Sequence, residues 1–241
     1  MSLGIGLNLT IGGAQFITPV FSPADLEPFL WLKADEGVVE SGGSVSQWTD
    51  QGTNGNNLVQ ASGANQPVYT ASNGDFNSKP SVDFNGTSHF LRSGALSSSL
   101  TDTTTFITFY VNSIALNGDT VITSNVTNSK RLFYGTGGNV NGILRNGGKS
   151  NILNTPINNT YTFMYQFDGT TLRKRTNNGS VFTVSSWASD TITEIGLGYS
   201  IGLGGRYSDF DIAEFIVYDK VLTTDEIEDV FNYTNVKYAI Y

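Results

Sequence analysis

The sequence contains no cysteine, so neither a disulfide framework nor a thiolate metal site is open to it. It suits folding in a reducing compartment, even for a protein that later works outside a cell. Stability must come from packing, and a chain of 241 residues can bury roughly 70% of the surface that its unfolded form exposes. Charge is scarce, at 14% of residues, and acidic in balance, with a formal net charge of −8. The basic residues are scattered apart from Arg173, Lys174 and Arg175, which read as a solvated strand. Nucleic-acid binding requires a basic face to neutralise phosphates, and none is expected here. Histidine is limited to His89, and no G-x-S-x-G elbow supplies a nucleophile for a relay built on it. No apolar run approaches the roughly 20 residues that cross a bilayer, so no membrane insertion is expected. The apolar N-terminus has no Lys or Arg ahead of it, which makes it a poor secretory leader.

Glycine, asparagine, serine, threonine and aromatics are plentiful instead, a composition of short strands joined by turns. Runs of β type recur at Ser81 to Phe84, Phe106 to Ile114, Thr120 to Ser124, Arg131 to Tyr134 and Tyr161 to Phe167. They continue at Thr170 to Thr176, Val181 to Ser185, Thr191 to Leu197 and Ile212 to Tyr218. Phe167-Asp168-Gly169-Thr170 and Asn177-Asn178-Gly179 carry hairpin signals, because Asn and Gly tolerate the positive φ of tight turns. This spacing predicts an all-β, two-sheet antiparallel sandwich.

Two terminal features stand apart. Leu3, Ile5, Leu7, Leu9 and Ile11 alternate with Gly4, Gly6, Asn8 and Thr10, the period of a strand with one apolar face. Residues 1–20 are therefore expected to form an extended N-terminal arm, either docking on neighbouring structural subunits by strand addition or serving as a first strand of the domain. The domain itself is expected over residues 21–241, with Pro19, Pro23 and Pro28 marking the junction. At the other end, Thr223-Thr224-Asp225-Glu226 has capping-box spacing. It predicts a short helix that places Ile227, Val230, Phe231, Thr234, Tyr238 and Tyr241 on one face.

Three segments together carry a family resemblance. Leu30-Trp31-Leu32-Lys33-Ala34-Asp35 leads into Val45 to Asn57; Gln66-Pro67-Val68-Tyr69 is followed by Asn77 to Thr87; Asp211 to Asp219 precedes the capped helix. These resemble the W-x-D-x-S-G-N-G-N, G-K-P-x-V-x-F-D-G-T and I-A-E-x-x-x-Y-D segments of laminin-G-like (concanavalin A-like) jelly rolls, over about residues 29 to 241. The chain departs from that pattern at Gly52-Thr53 and at Asn85, which weakens any loop calcium site that relatives build there. The resemblance implies a jelly-roll fold, serving in carbohydrate binding, adhesion, enzyme appendages or phage virion proteins.

The β-glucanases of the same superfamily carry an E-x-D-x-x-E strand, which Asp209, Asp211 and Glu214 approach with a shorter first member. A nucleophile displaced by about 1.5 Å costs heavily in rate, so no catalytic residue is expected, and Asp209 and Asp211 are assigned to the turn before the strand. Asp50 to Asn57 offers oxygens at alternate positions, as a calcium loop does, but reads better as an Asn/Gly turn bonded to its own backbone. No metal and no cofactor is expected. Trp187, Tyr199, Arg206 and Tyr207 lie in polar, glycine-rich stretches and are the candidate ligand-binding residues, rings for sugar faces and Arg206 for hydroxyls. Trp31 and Trp48 are assigned to the core.

The functional expectation from these readings is a non-enzymatic virion or cell-surface appendage protein, homo-oligomeric, displaying a glycan-binding or structural jelly roll on a virion or extracellular surface. The alternatives are a secreted glycan hydrolase using Asp209, Asp211 and Glu214, and a ligand-free decoration protein.

Overall fold

The computed structural model describes residues 8–11, 14–17, 20–113, 120–124, 131–135, 139–145, 148–150, 158–185, 191–200 and 206–241. The long β-rich runs pair into one antiparallel layer. Its order from the edge is Phe182–Val184, Leu172–Thr176, Thr160–Phe167, Thr103–Ser113 and Asp209–Tyr218. The far side of Asp209–Tyr218 is shared: Leu30–Lys33 pairs with its C-terminal half, and Lys79–Asn85 with its N-terminal half. A second layer runs through Thr120–Ser124, Ile195–Leu197, Leu91–Arg92, Leu58–Val59, Ser44–Trp48 and Val38–Ser41. Val68–Asn73 pairs with Lys79–Asn85, and the two layers are tied at one corner by the pairing of Ser44 with Val68.

A single core fills the space between the layers. Leu32, Phe84, Phe109, Phe163, Phe210 and Phe215 come from the first, and Val45, Trp48, Leu58, Leu91 and Leu197 from the second. Phe84 and Phe210 are cross-strand partners with stacked rings, centroids 4.9 Å apart, the aromatic pairing that fixes register as well as burying area. The fold is thus the expected all-β sandwich, jelly-roll-like in its two antiparallel layers.

The first layer is covered on its other face too. Trp31, Phe106, Met164, Ile216 and Tyr218 meet Leu222, Ile227, Val230 and Phe231 of the helical C-terminus. The helix, Thr224–Tyr238, opens on the expected capping box: the Glu226 amide donates to Thr223 Oγ1, and the Thr223 amide to the Glu226 carboxylate. Ile227, Val230, Phe231, Thr234 and Tyr238 are buried. Tyr241 departs from that face, because the helix stops where Ala239 turns left-handed at φ 53°, and Tyr241 is left 44% exposed.

Burial on both faces corrects the reading of Arg173 to Arg175 as solvated. Arg175 points under the helix, pairs with Glu228 and lies 4.2 Å from the Phe231 ring centroid. Lys174 points the opposite way, is 1% exposed and stands over the Phe182 ring; burial pulls its ammonium down to about 8. At the N-terminus, Asn8–Ile11 is a strand, paired antiparallel with Ala14–Ile17 in a ladder separate from the sandwich. Leu3, Ile5 and Leu7 lie outside the described residues.

Candidate functional site

Asp209, Asp211 and Glu214 all lie on the strand Asp209–Tyr218, so the first two are not in a preceding turn. The register slips between Thr108, opposite Glu214, and Phe109, opposite Ile212, leaving Ala213 as an extra residue. Such a bulge re-aims the side chains around it. Phe210, Ile212, Phe215 and Val217 therefore reach the sandwich core, while Glu214 is turned under the helix.

There the Glu214 carboxylate, 1% exposed, accepts from four donors. Trp31 Nε1 donates at 2.6 Å, Tyr238 OH at 2.6 Å, Tyr233 OH at 3.1 Å and Lys237 Nζ at 3.0 Å. Burial first, and then the Glu214 charge, push the Tyr218, Tyr233 and Tyr238 phenols well above their ordinary range. They remain neutral donors at any physiological pH. A buried carboxylate so fully paired acts as a clamp between strand and helix, since removing a partner strands a charge.

Asp211 sits apart from that clamp. Asn73 Nδ2 donates to it at 2.9 Å and Asn112 Nδ2 at 3.4 Å, and Asp83 faces it directly across the ladder. Burial, followed by the bond to and charge of Asp83, pushes its carboxyl up to about 7. Asp209 accepts from Ser113 Oγ. The strand thus carries three carboxyls with three separate sets of partners.

The Asp50 to Asn57 loop is the self-bonded turn. Asp50 accepts from the amides of Trp31, Gly52 and Asn56, and Asn57 Oδ1 accepts from the Asp50 amide. Asn54 and Asn56 both donate to the Phe29 carbonyl. These bonds hold Trp31 in place, Trp48 Nε1 donates to the Lys33 carbonyl at 2.9 Å, and both rings are buried as expected.

Three of the four proposed ligand residues come together at one end of the sandwich. Tyr199 and Tyr207 are antiparallel bridge partners, and the Ser200 amide donates to the Arg206 carbonyl at 3.1 Å. Their rings lie 5.2 Å apart, tilted by 39°. Phe90 extends the row, 5.1 Å from Tyr199 and tilted by 36°, and all three rings are part-exposed. The row can approach the core because Gly198 precedes it: at φ +82°, a Cβ there lies 2.4 Å from the Phe84 ring. Burial, then the neighbouring Tyr199, raises the Tyr207 phenol. Trp187 lies outside the described residues. Phe90 was missed by sequence reasoning, its only signal being an aromatic after the polar Thr87-Ser88-His89 turn.

No family model and no curated protein matches the chain. Solved structures do. The chain is similar to Trypanosoma rangeli sialidase in complex with sialic acid, at 11% identity and TM-score 0.59, over 94% of this chain and 35% of that one. It is also similar to domain 4 of an extracellular GH43 arabinanase from Geobacillus stearothermophilus in complex with arabinotriose, at 12% identity and TM-score 0.52, over 68% of this chain and 81% of that one. The binding domain of Paraclostridial Mosquitocidal Protein 1 matches at 13% identity and TM-score 0.56, over 86% of this chain and 52% of that one. The chain spans about a third of the sialidase's length. At these identities the likeness shows the fold, a β-sandwich. The expectation of a virion or cell-surface appendage protein is corrected by this set, whose members are a sialidase, a domain of an arabinanase and the binding domain of a mosquitocidal protein.

Proposed function

We propose that this chain is a carbohydrate-binding β-sandwich whose ligand lies along the Phe90, Tyr199 and Tyr207 row, and that it does not cleave what it binds. The observation that carries the reading is the row itself: three part-exposed rings at 5.1 and 5.2 Å spacing with Arg206 on the same edge. Tilted rings present apolar faces to the C–H side of a sugar while their hydroxyls and a guanidinium reach its oxygens. Similarity to an arabinanase domain that holds arabinotriose supports a saccharide as ligand.

Glu214 and Asp211 are both committed to structural partners. A retaining hydrolase of the two-carboxylate kind needs two carboxyls about 5.5 Å apart on either side of a bond; Glu214 is occupied by four donors beneath the helix, and Asp211 by Asn73, Asn112 and Asp83. The laminin-G-like subclass is supported by the Trp31 and Asp50 to Asn57 segment, which the structure knits together. An extracellular setting, where polymeric glycans are met, accords with this role. The test is retention on a panel of insoluble polysaccharides combined with a reducing-end assay on the retained ligand. Retention without release is expected; release of reducing ends that Glu214→Gln abolishes contradicts the reading.

A further inference from the structure

A cleft of about 400 Å³ opens on the opposite side of the first layer, between the edge strand Phe182–Val184, the strands Thr160–Phe167 and Leu172–Thr176, and the start of the helix. That volume lies within the range of small-ligand sites. It shares no lining residue with the aromatic row. We infer that this cleft is a second saccharide site, selective for neutral sugars.

The charges lining the cleft are balanced. Arg173 and Arg175 are two residues apart on one strand, so both point into the cleft, and each meets a carboxylate there. Arg173 pairs with Asp168 at 2.7 Å, and Arg175 holds Glu228 through both terminal nitrogens. The four charges sum to zero. An anion entering the cleft gains an arginine but meets Asp168 and Glu228; a cation meets the reverse. An uncharged ligand rich in hydroxyls meets no such opposition, because it can donate to the carboxylates, whose oxygens each accept more than one bond, and accept from Arg173.

Position and shape fit the same class. Asp168 Oδ1 is fixed by the amides of Thr170 and Thr171, and Oδ2 by Arg173; burial raises the carboxyl, but these bonds, Arg173 foremost, outweigh it and hold it down at about 2. Gln166, 2% exposed, is locked by bonds to Thr104 Oγ1 and the Leu222 carbonyl. Polar groups already held in place lose little further freedom on binding. Val181 and Val221 stand at the cleft, 46% and 39% exposed, and Met164 and Ile227 line it as well. Apolar wall beside fixed donors and acceptors matches a sugar, which has a C–H face and a hydroxyl edge.

The chain has two methionines, so methyl-labelled Met164 gives a resolved reporter in the cleft, with labelled Ile227 as a second. Maltotriose, cellotriose and arabinotriose are titrated in turn, with trigalacturonate as the charged comparison. At least one neutral trisaccharide is expected to shift both methyl signals saturably, and trigalacturonate to shift neither. Val221→Trp, which fills the cleft from an exposed position, is expected to weaken that response by at least about tenfold, with Thr183→Tyr as an independent block. Tyr207→Ala is expected to leave it intact, so the two sites fail or succeed separately. Methyl signals unmoved by every neutral trisaccharide, an equal response to trigalacturonate, or a response indifferent to both blocking variants overturns the inference.

Discussion

The Asp83 and Asp211 pair makes the protein's stability fall as pH rises, in the window over which the pair gives up the proton held at Asp211. Asp211 begins at the ordinary 3.8 in the unfolded chain and is pushed up to about 7 in the folded one, by burial and by Asp83 opposite it. Between those values the folded state holds a proton that the unfolded state has released. Stability falls with pH wherever the unfolded state binds fewer protons. The loss therefore starts near pH 4, continues to about 7 and then levels off. Over the whole window it amounts to on the order of 4 kcal/mol. Asp211→Asn removes the titration but keeps a group that can donate to Asp83. Urea unfolding at pH steps from 4 to 9 should show the variant close to the parent at pH 4 and more stable by a few kcal/mol above pH 7. Parallel pH profiles for parent and variant refute the reasoning, because the slope then belongs to other carboxyls.

Phe231→Ala should destabilise by about 3–5 kcal/mol, since its fully buried ring packs edge-on against Phe106 and under Arg175; an unchanged Tm shows that the helix is not docked. Gly198→Ala should cost about 1–3 kcal/mol from its left-handed φ and its clash with the Phe84 ring, measured by thermal melting, with no loss refuting the close approach. Removal of residues 1–20 should leave the sandwich Tm unchanged, because Asn8–Ile11 pairs only with Ala14–Ile17 among the described ladders; a fall of many degrees shows instead that the segment is integral.

The long strands were legible because each is a run rich in β-branched and aromatic residues bounded by turn residues, as in Thr103–Ser113 and Thr160–Phe167. Leu58–Val59 and Leu91–Arg92, two residues each, were not, since no period can be read from so short a run. The bulge at Ala213 had a trace in the sequence. Phe210 and Ile212 keep one phase and Phe215 and Val217 the other, a shift that only an extra residue reconciles with one buried face. The burial of Arg175 was illegible for a different reason: its partners Glu228 and Phe231 stand more than fifty residues away, and charge runs show nothing of what packs over them. Tyr199 and Tyr207 could be picked as aromatics in polar surroundings, whereas Phe90 joins them only through the pairing of distant turns.

The central claim is that the aromatic row holds a sugar. Calorimetric titration of a saccharide retained in the polysaccharide panel, against parent, Tyr199→Ala, Tyr207→Ala and the double variant, tests it most directly. Each ring contributes about 0.5–1.5 kcal/mol beyond its buried area, so each single variant should lose roughly tenfold in affinity and the double variant roughly a hundredfold, with Tm preserved. Full affinity in the double variant, with its fold intact, contradicts the account.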